Sequence, residues 1–131
     1  MRLILILTAL LAFQGAAASE FDDMKALAEL GMAAAQFNLA LMYDHGEGVP
    51  ENDAEAVKWY RKAADQGHAD AQLNLGNMYA KGEGVPENDI RAYVWWSMAK
   101  TQGSATAVRI IDKLKPEMTP QQIAEAQALK A

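Results

Sequence analysis

The chain repeats itself. Residues 33–68, AAAQFNLALMYDHGEGVPENDAEAVKWYRKAADQGH, return at a shift of 36 as residues 69–104, ADAQLNLGNMYAKGEGVPENDIRAYVWWSMAKTQGS. The two copies are identical at 20 of the 36 positions, and no gap is needed to align them. A fixed period of this length predicts a solenoid of stacked helical hairpins. One such unit cannot bury its apolar face alone, so neighbouring units must stack. A stack of this kind displays a surface more readily than it encloses a catalytic pocket.

Within the first copy, Ala35, Leu39, Met42 and Tyr43 recur at helical spacing. They predict a helix A over about 33–45. Gly46 follows, where a helix end favours a left-handed residue, and Gly48-Val49-Pro50 continues the turn. Asn52-Asp53 supplies a capping oxygen for helix B, and Glu55 stands at the capping-box position three residues after Asn52. Ala56, Trp59, Tyr60 and Ala63 mark one face of helix B, which ends at Gly67. The second copy repeats each device, with Leu75, Met78 and Tyr79, then Gly82, Gly84, Pro86 and Asn88, then Ala92, Trp95, Trp96 and Ala99. Alanines at matched places let helices approach closely. Trp59, Trp95 and Trp96 are expected in the core between hairpins, where large aromatics dominate packing.

Both flanks read as partial repeats. One period back, Ala64 and Gly67 fall on Ala28 and Gly31, so 19–32 reads as the remnant of a preceding helix B. One period forward, Ala69 and Ala71 fall on Ala105 and Ala107, which predicts a third helix A over 105–114, ended by Lys115-Pro116. Thr119, Pro120 and Gln122 then open a last helix running to Lys130, with a capping box and Met118 stapled onto Ile123. Residues 105–131 are thus a partial repeat with a capping helix. Ahead of the repeats, Met1-Arg2, the apolar run Leu3–Phe13 and the small residues up to Ala18 have the three-part form of a secretory signal peptide. Cleavage is expected after Ala18, and the apolar run is too short to serve as a spanning helix. The expected location is periplasmic or secreted, with no membrane span after cleavage.

The chain has no cysteine, which removes disulfides, thiolate metal sites and lipidation at a cleavage-site cysteine. The formal charge of −5 argues against nucleic acid or an anionic membrane as a partner, because both call for a basic surface. Gly46-x-Gly48 and Gly82-x-Gly84 lie between helices, whereas phosphate loops follow a strand. The oxygen-rich run Asp44, Glu47, Glu51, Asn52 and Asp53 lacks the alternating ligands that calcium requires. His45 and His68 lie near predicted helix C-termini, and neither recurs in the other copy, so both read as surface helix-end residues. No catalytic residue, cofactor site or metal site is assigned.

The pattern A-x-x-x-L-(A/G)-x-M-Y-x-x-G-x-G-V-x-x-(N/D)-D-x-x-A-x-x-W-(Y/W)-x-x-A-x-x-Q-G resembles the Sel-1-like repeats, relatives of the tetratricopeptide repeats. The resemblance covers 33–103 and implies an all-α fold, a right-handed α-solenoid of antiparallel hairpins. The second copy departs from it at Ser97 and Lys100, changes that suit a last repeat meeting a cap. The resemblance also implies a concave groove lined by the A helices. By alignment with tetratricopeptide positions, the groove residues are Phe37, Leu41 and Asp44, then Asp70, Leu73 and Asn77, then Arg109 and Lys113, with Ala34, Ala80 and Thr106 between them. Arg109 and Lys113 would form a basic end able to hold a carboxylate. The expected role is a non-enzymatic scaffold, adaptor or regulator that binds a peptide or helix of another exported protein. Two alternatives stay open. One is a module that self-associates through the edge Leu27–Ala35, and the other is a protein associated with an envelope hydrolase. Some cysteine-rich members of the family are associated with β-lactamase activity, but this chain has no cysteine and that activity is not carried over.

Overall fold

The computed structural model describes residues 19–114 and 117–130. The signal-peptide reading of 1–18 and the helix stop at Lys115-Pro116 lie outside the described residues. Seven helices are present among the described residues: α1 (19–29), α2 (Ala33–His45), α3 (Asp53–Asp65), α4 (Ala69–Lys81), α5 (Asp89–Thr101), α6 (Ala105–Leu114) and α7 (Pro120–Lys130). Helices α2 with α3 and α4 with α5 form two hairpins, α4 packs on α3 to join them, and α5 carries both α6 and α7. The result is the α-solenoid that the 36-residue period predicts, with one further helix before the two hairpins and two after them.

The two hairpin turns are built the same way. Helices α2 and α4 end at Gly46 and Gly82, both left-handed with φ of 68°, whose N–H groups donate to Met42 O and Met78 O. Helices α3 and α5 start at Asn52 and Asn88, whose side chains accept from the backbone N–H of Glu55 at 3.1 Å and of Arg91 at 3.0 Å. Those two bonds satisfy N–H groups that the helix itself leaves unpaired. The reciprocal half of the expected capping box at Glu55 does not form. The Asn52 N–H donates instead to Tyr43 O at 2.9 Å, and the Asn88 N–H donates to Tyr79 O at the same distance. Glu55 approaches Lys58 at 4.0 Å, and its counterpart Arg91 could accept nothing. A capping box is complete at α7, where Gln122 N–H donates to Thr119 Oγ1 at 3.1 Å and Thr119 N–H donates to Gln122 Oε1 at 2.9 Å.

The core is rich in alanine. Ala40, Ala56, Ala63, Ala64, Ala71, Ala92 and Ala99 are fully buried around Leu39, Leu75 and Tyr60. Small residues at these crossings leave room for the rings beside them. One crossing shows the adjustment directly. In the first hairpin Ala40 accompanies Tyr60, whereas in the second, 36 residues on, Gly76 accompanies Trp96. A methyl group on Gly76 would lie 2.6 Å from the Trp96 ring. The larger ring and the missing methyl are therefore one change made at two places. The turn of the second repeat also presses on the first: Gly84 has φ of 70°, and a Cβ there would fall 2.4 Å from the carbonyl oxygen of Asp53.

Two glutamines make a buried polar rung between repeats that the sequence reading did not single out. Gln36 Nε2 donates to Ala28 O and Gln72 Nε2 donates to Ala64 O, each at 3.1 Å. Gln66 Nε2 completes the first rung by donating to Gln36 Oε1 at 2.8 Å and to Gly31 O at 3.0 Å. In the second rung Gln72 Oε1 is buried without a hydrogen-bond partner. The signal was available, since both glutamines recur inside otherwise apolar faces.

Candidate partner-binding surface

The eight residues expected in the groove sit on three helices: Phe37, Leu41 and Asp44 on α2, Asp70, Leu73 and Asn77 on α4, and Arg109 and Lys113 on α6. Three of them also hold the hairpins together. Phe37 is half-buried, with its ring 5.9 Å from that of Tyr60 and stacked on His68 at 4.6 Å. The Tyr60 hydroxyl donates to Asp44 Oδ2 at 2.9 Å, and the Asn74 side-chain amide donates to that hydroxyl at 3.3 Å. One buried oxygen thus ties α2, α3 and α4 together. Burial of Tyr60, reinforced by the Asp44 carboxylate, raises its hydroxyl pKa well above the usual tyrosine range, while the bond from Asn74 opposes the rise.

The second hairpin solves the same problem with different atoms. Trp96 can only donate, and its Nε1–H donates to Asn77 Oδ1 at 3.1 Å. The residues that serve Tyr60, Asp44 and Asn74, are replaced one period on by Ala80 and Ile110. Part of the variation between copies on the A-helix face therefore records which aromatic ring is being served. Asp70, Arg109 and Lys113 are exposed and Leu73 is half-buried. Arg109 donates to Thr106 Oγ1 at 3.2 Å, which leaves other guanidinium N–H groups directed away from that bond. Leu41 shares a depression with Glu20 and Met24 of α1, apart from the α4 and α6 candidates.

His68 differs from expectation. It is the N-cap of α4, not a helix-end surface residue: Nδ1 accepts from Ala71 N–H at 3.2 Å, and the ring stacks on Phe37. Left-handed Gly67 turns the chain out of α3, so the His68 N–H still closes that helix on Ala63 O at 3.2 Å while its ring caps the next. His45 is exposed in the last turn of α2, as expected. Trp59 and Trp96 are buried, whereas Trp95 is only half-buried and lines two surface depressions. Lys62 and Lys58 lie 4.6 Å and 5.3 Å from the Trp59 ring, and Val94 and Met98 stand at those places beside Trp95.

Ser97 and Lys100, the departures expected to meet a cap, line a 290 Å³ cavity with Ala126 and Gln127 of α7. Their spacing is also the Ser-x-x-Lys of penicillin-binding enzymes, which the sequence reading overlooked. Ser97 is near the C-terminal end of α5, where the helix dipole disfavours an alkoxide. Among the described residues no hydrogen bond joins it to Lys100.

The Sel1 repeat family model matches residues 33–68 and 69–104, the two hairpins just described with their linkers. The chain belongs to the Sel1 repeat family. Proteins of this family are generally scaffolds that bind protein partners. The chain is similar to a Sel1 repeat protein from Oxalobacter formigenes, with 40% identity and a TM-score of 0.72 over 75% of this chain and 40% of that one. It is also similar to a protective antigen of uropathogenic Escherichia coli strains that displays the same repeat fold, with 31% identity and a TM-score of 0.82 over 86% of this chain and 24% of that one. Cysteine-rich protein B of Helicobacter pylori matches with 28% identity and a TM-score of 0.66 over 69% and 68% of the two chains. The chain spans less than half the length of the first two. No curated protein matches it. Among the described residues, no helix is long and apolar enough to cross a membrane.

Proposed function

We propose that this Sel1 repeat protein is a non-enzymatic adaptor of the bacterial envelope, binding a peptide segment or helix of another exported protein across its A helices. The observation that carries the reading is the contrast between the two copies. Leu39 and Leu75, Tyr43 and Tyr79, and Ala56 and Ala92 keep the hairpin, while Ala34 becomes Asp70 and Phe37 becomes Leu73, apart from the hydrogen-bonding changes that serve Tyr60 and Trp96. A constant frame with a changing face is what a scaffold needs to read one partner. The envelope location rests on the signal-peptide pattern of the first 18 residues.

The test is crosslinked capture from the envelope fraction, followed by direct binding to the purified captured protein. The control carries Asp70→Ala, Leu73→Ala and Arg109→Ala and keeps Asn77, so that the Trp96 hydrogen bond survives. A partner bound by the native chain and lost from the control supports the groove, and equal binding by both refutes it. Intact mass of the exported protein checks cleavage after Ala18.

A second reading is favoured by one surface. Leu27, Leu30 and Met32 are 40%, 78% and 51% exposed. Ala63 and Ala99, one and two periods after Leu27, are fully buried, because each has its own hairpin partner. A second copy stacked on this edge would cover it, and sedimentation equilibrium would show the dimer.

A further inference from the structure

We propose that the second repeat carries a separate binding cleft for an acidic and apolar peptide segment, with Arg61 and Arg91 taking the carboxylate and Trp95 the neighbouring apolar side chain. The cleft is about 640 Å³ and is lined by Arg61, Tyr79, Val85, Pro86, Asn88, Arg91 and Trp95. None of these belongs to the A-helix positions proposed above, so the two readings stand or fall separately.

The chain contains its own control. One period back, the corresponding residues are Lys25, Tyr43, Val49, Pro50, Asn52, Glu55 and Trp59. The turn, the tyrosine, the capping asparagine and the indole are kept. Two things differ. Glu55, a carboxylate near Lys58, gives way to Arg91, and no carboxylate lines the second cleft. Trp59 is buried under Lys58 and Lys62, whereas Trp95 is half-buried. The same backbone thus presents an indole covered by lysines beside a paired carboxylate in the first repeat, and an open indole beside two arginines in the second.

The geometry matches a carboxylate. The Arg61 guanidinium donates to the Tyr79 hydroxyl and lies 5.8 Å from the centre of its ring. That contact holds the side chain in place and leaves further N–H donors for a ligand. Arg91 is exposed, and among the described residues the one ion pair is Lys58 with Glu55. A guanidinium recognises a carboxylate with two parallel hydrogen bonds. Arg91 and Trp95 also form the wall shared with a second depression of 300 Å³, whose other residues are Val94, Met98 and Leu129. A side chain crossing the indole from the arginines would therefore reach an apolar floor. Although the chain carries a net charge of −5, the lining of this cleft holds two guanidiniums and no carboxylate, which favours an acidic ligand at this place.

The test uses the full chain labelled with 5-fluorotryptophan, whose three resonances are followed by ¹⁹F NMR, with Trp95 assigned through Trp95→Phe. The probes are acetyl-Ala-Glu-Leu-Leu-amide and its Gln counterpart. The expected result is a saturable shift of the Trp95 resonance with the Glu peptide, at least tenfold weaker with the Gln peptide, while Trp59 and Trp96 do not move. Arg91→Glu, which installs the first repeat's residue at an exposed site, should weaken the Glu peptide at least tenfold, and Arg61→Ser should act in the same direction. No Trp95 shift, equal shifts with both peptides, or unchanged binding by Arg91→Glu with Trp59 and Trp96 undisturbed would each overturn the proposal. An equal shift with sodium sulfate alone would overturn the peptide assignment in favour of a simple anion site.

Discussion

Adding one methyl group at Gly76 tests the pairing of small residue and large ring on which the second hairpin rests. In an isolated helix, Gly→Ala stabilises by about 1 kcal/mol. Here the new Cβ would stand 2.6 Å from Cδ1 and Nε1 of Trp96 and 3.1 Å from Cε2. Trp96 cannot simply withdraw, because it is 5% exposed and its Nε1–H is held by Asn77. Overpacking a close-packed site costs about 1–3 kcal/mol, so the two terms leave Gly76→Ala neutral to about 2 kcal/mol destabilising. In a Trp96→Ala background the ring that meets the methyl is gone. The same Gly76→Ala change should then be stabilising, towards the full helix-propensity gain of about 1 kcal/mol. The coupling between the two sites should reach about 1–3 kcal/mol, within the range seen for residues in contact. Urea unfolding followed by circular dichroism at 222 nm, on the four proteins of the cycle, measures it. A coupling below about 0.5 kcal/mol, which is what independent sites give, would refute the reasoning. So would a stabilised Gly76→Ala in the native background.

The close approach of the repeats at Gly84 predicts a larger effect. Gly84→Ala combines a left-handed backbone with a Cβ 2.4 Å from Asp53 O, so it should cost more than about 2 kcal/mol. Gly31→Ala, also left-handed but with nothing within 4 Å, should cost only about 1–2 kcal/mol, and equal losses in thermal unfolding would contradict the packing argument. The raised Tyr60 pKa predicts a loss of stability at alkaline pH. The folded chain keeps the proton where the unfolded tyrosine, with a pKa of about 10, has lost it, so the contribution is complete below pH of about 10 and declines above it, by at most about 1.4 kcal/mol per pH unit. Tyr60→Phe should remove that decline, and parallel stability curves for the two proteins from pH 9 to 11 would show that Tyr60 does not titrate in the expected sense.

Much of the fold was legible in the residues. The boundaries of α2, the capping asparagines and the Thr119–Gln122 box all follow from local rules of spacing and capping, which act over a few residues. Those rules also misplaced His68, because a histidine between two helices can serve either end, and only the packing of its ring on Phe37 selects the second. The candidate groove was less legible. Asp44 and Asn77 read as open polar positions until their bonds to Tyr60 and Trp96 are seen, and the recurrence of Asn38 as Asn74 does not by itself mark the third partner of the Tyr60 hydroxyl.

By itself, the sequence determined the period, the helices and the stacking of hairpins, because an apolar face that recurs every 36 residues has no other way to leave water. Tertiary structure alone decided which of two repeats that share 20 of 36 residues stays closed and which opens. Trp59 and Trp95 hold the same place in the pattern, and what separates them is the set of side chains brought over each ring from neighbouring turns. Lys58 and Lys62 are close to Trp59 in the chain, but whether neighbouring side chains fold over a ring or leave it open, as Trp95 is left beside Leu129 of α7, is decided by packing that no spacing rule encodes.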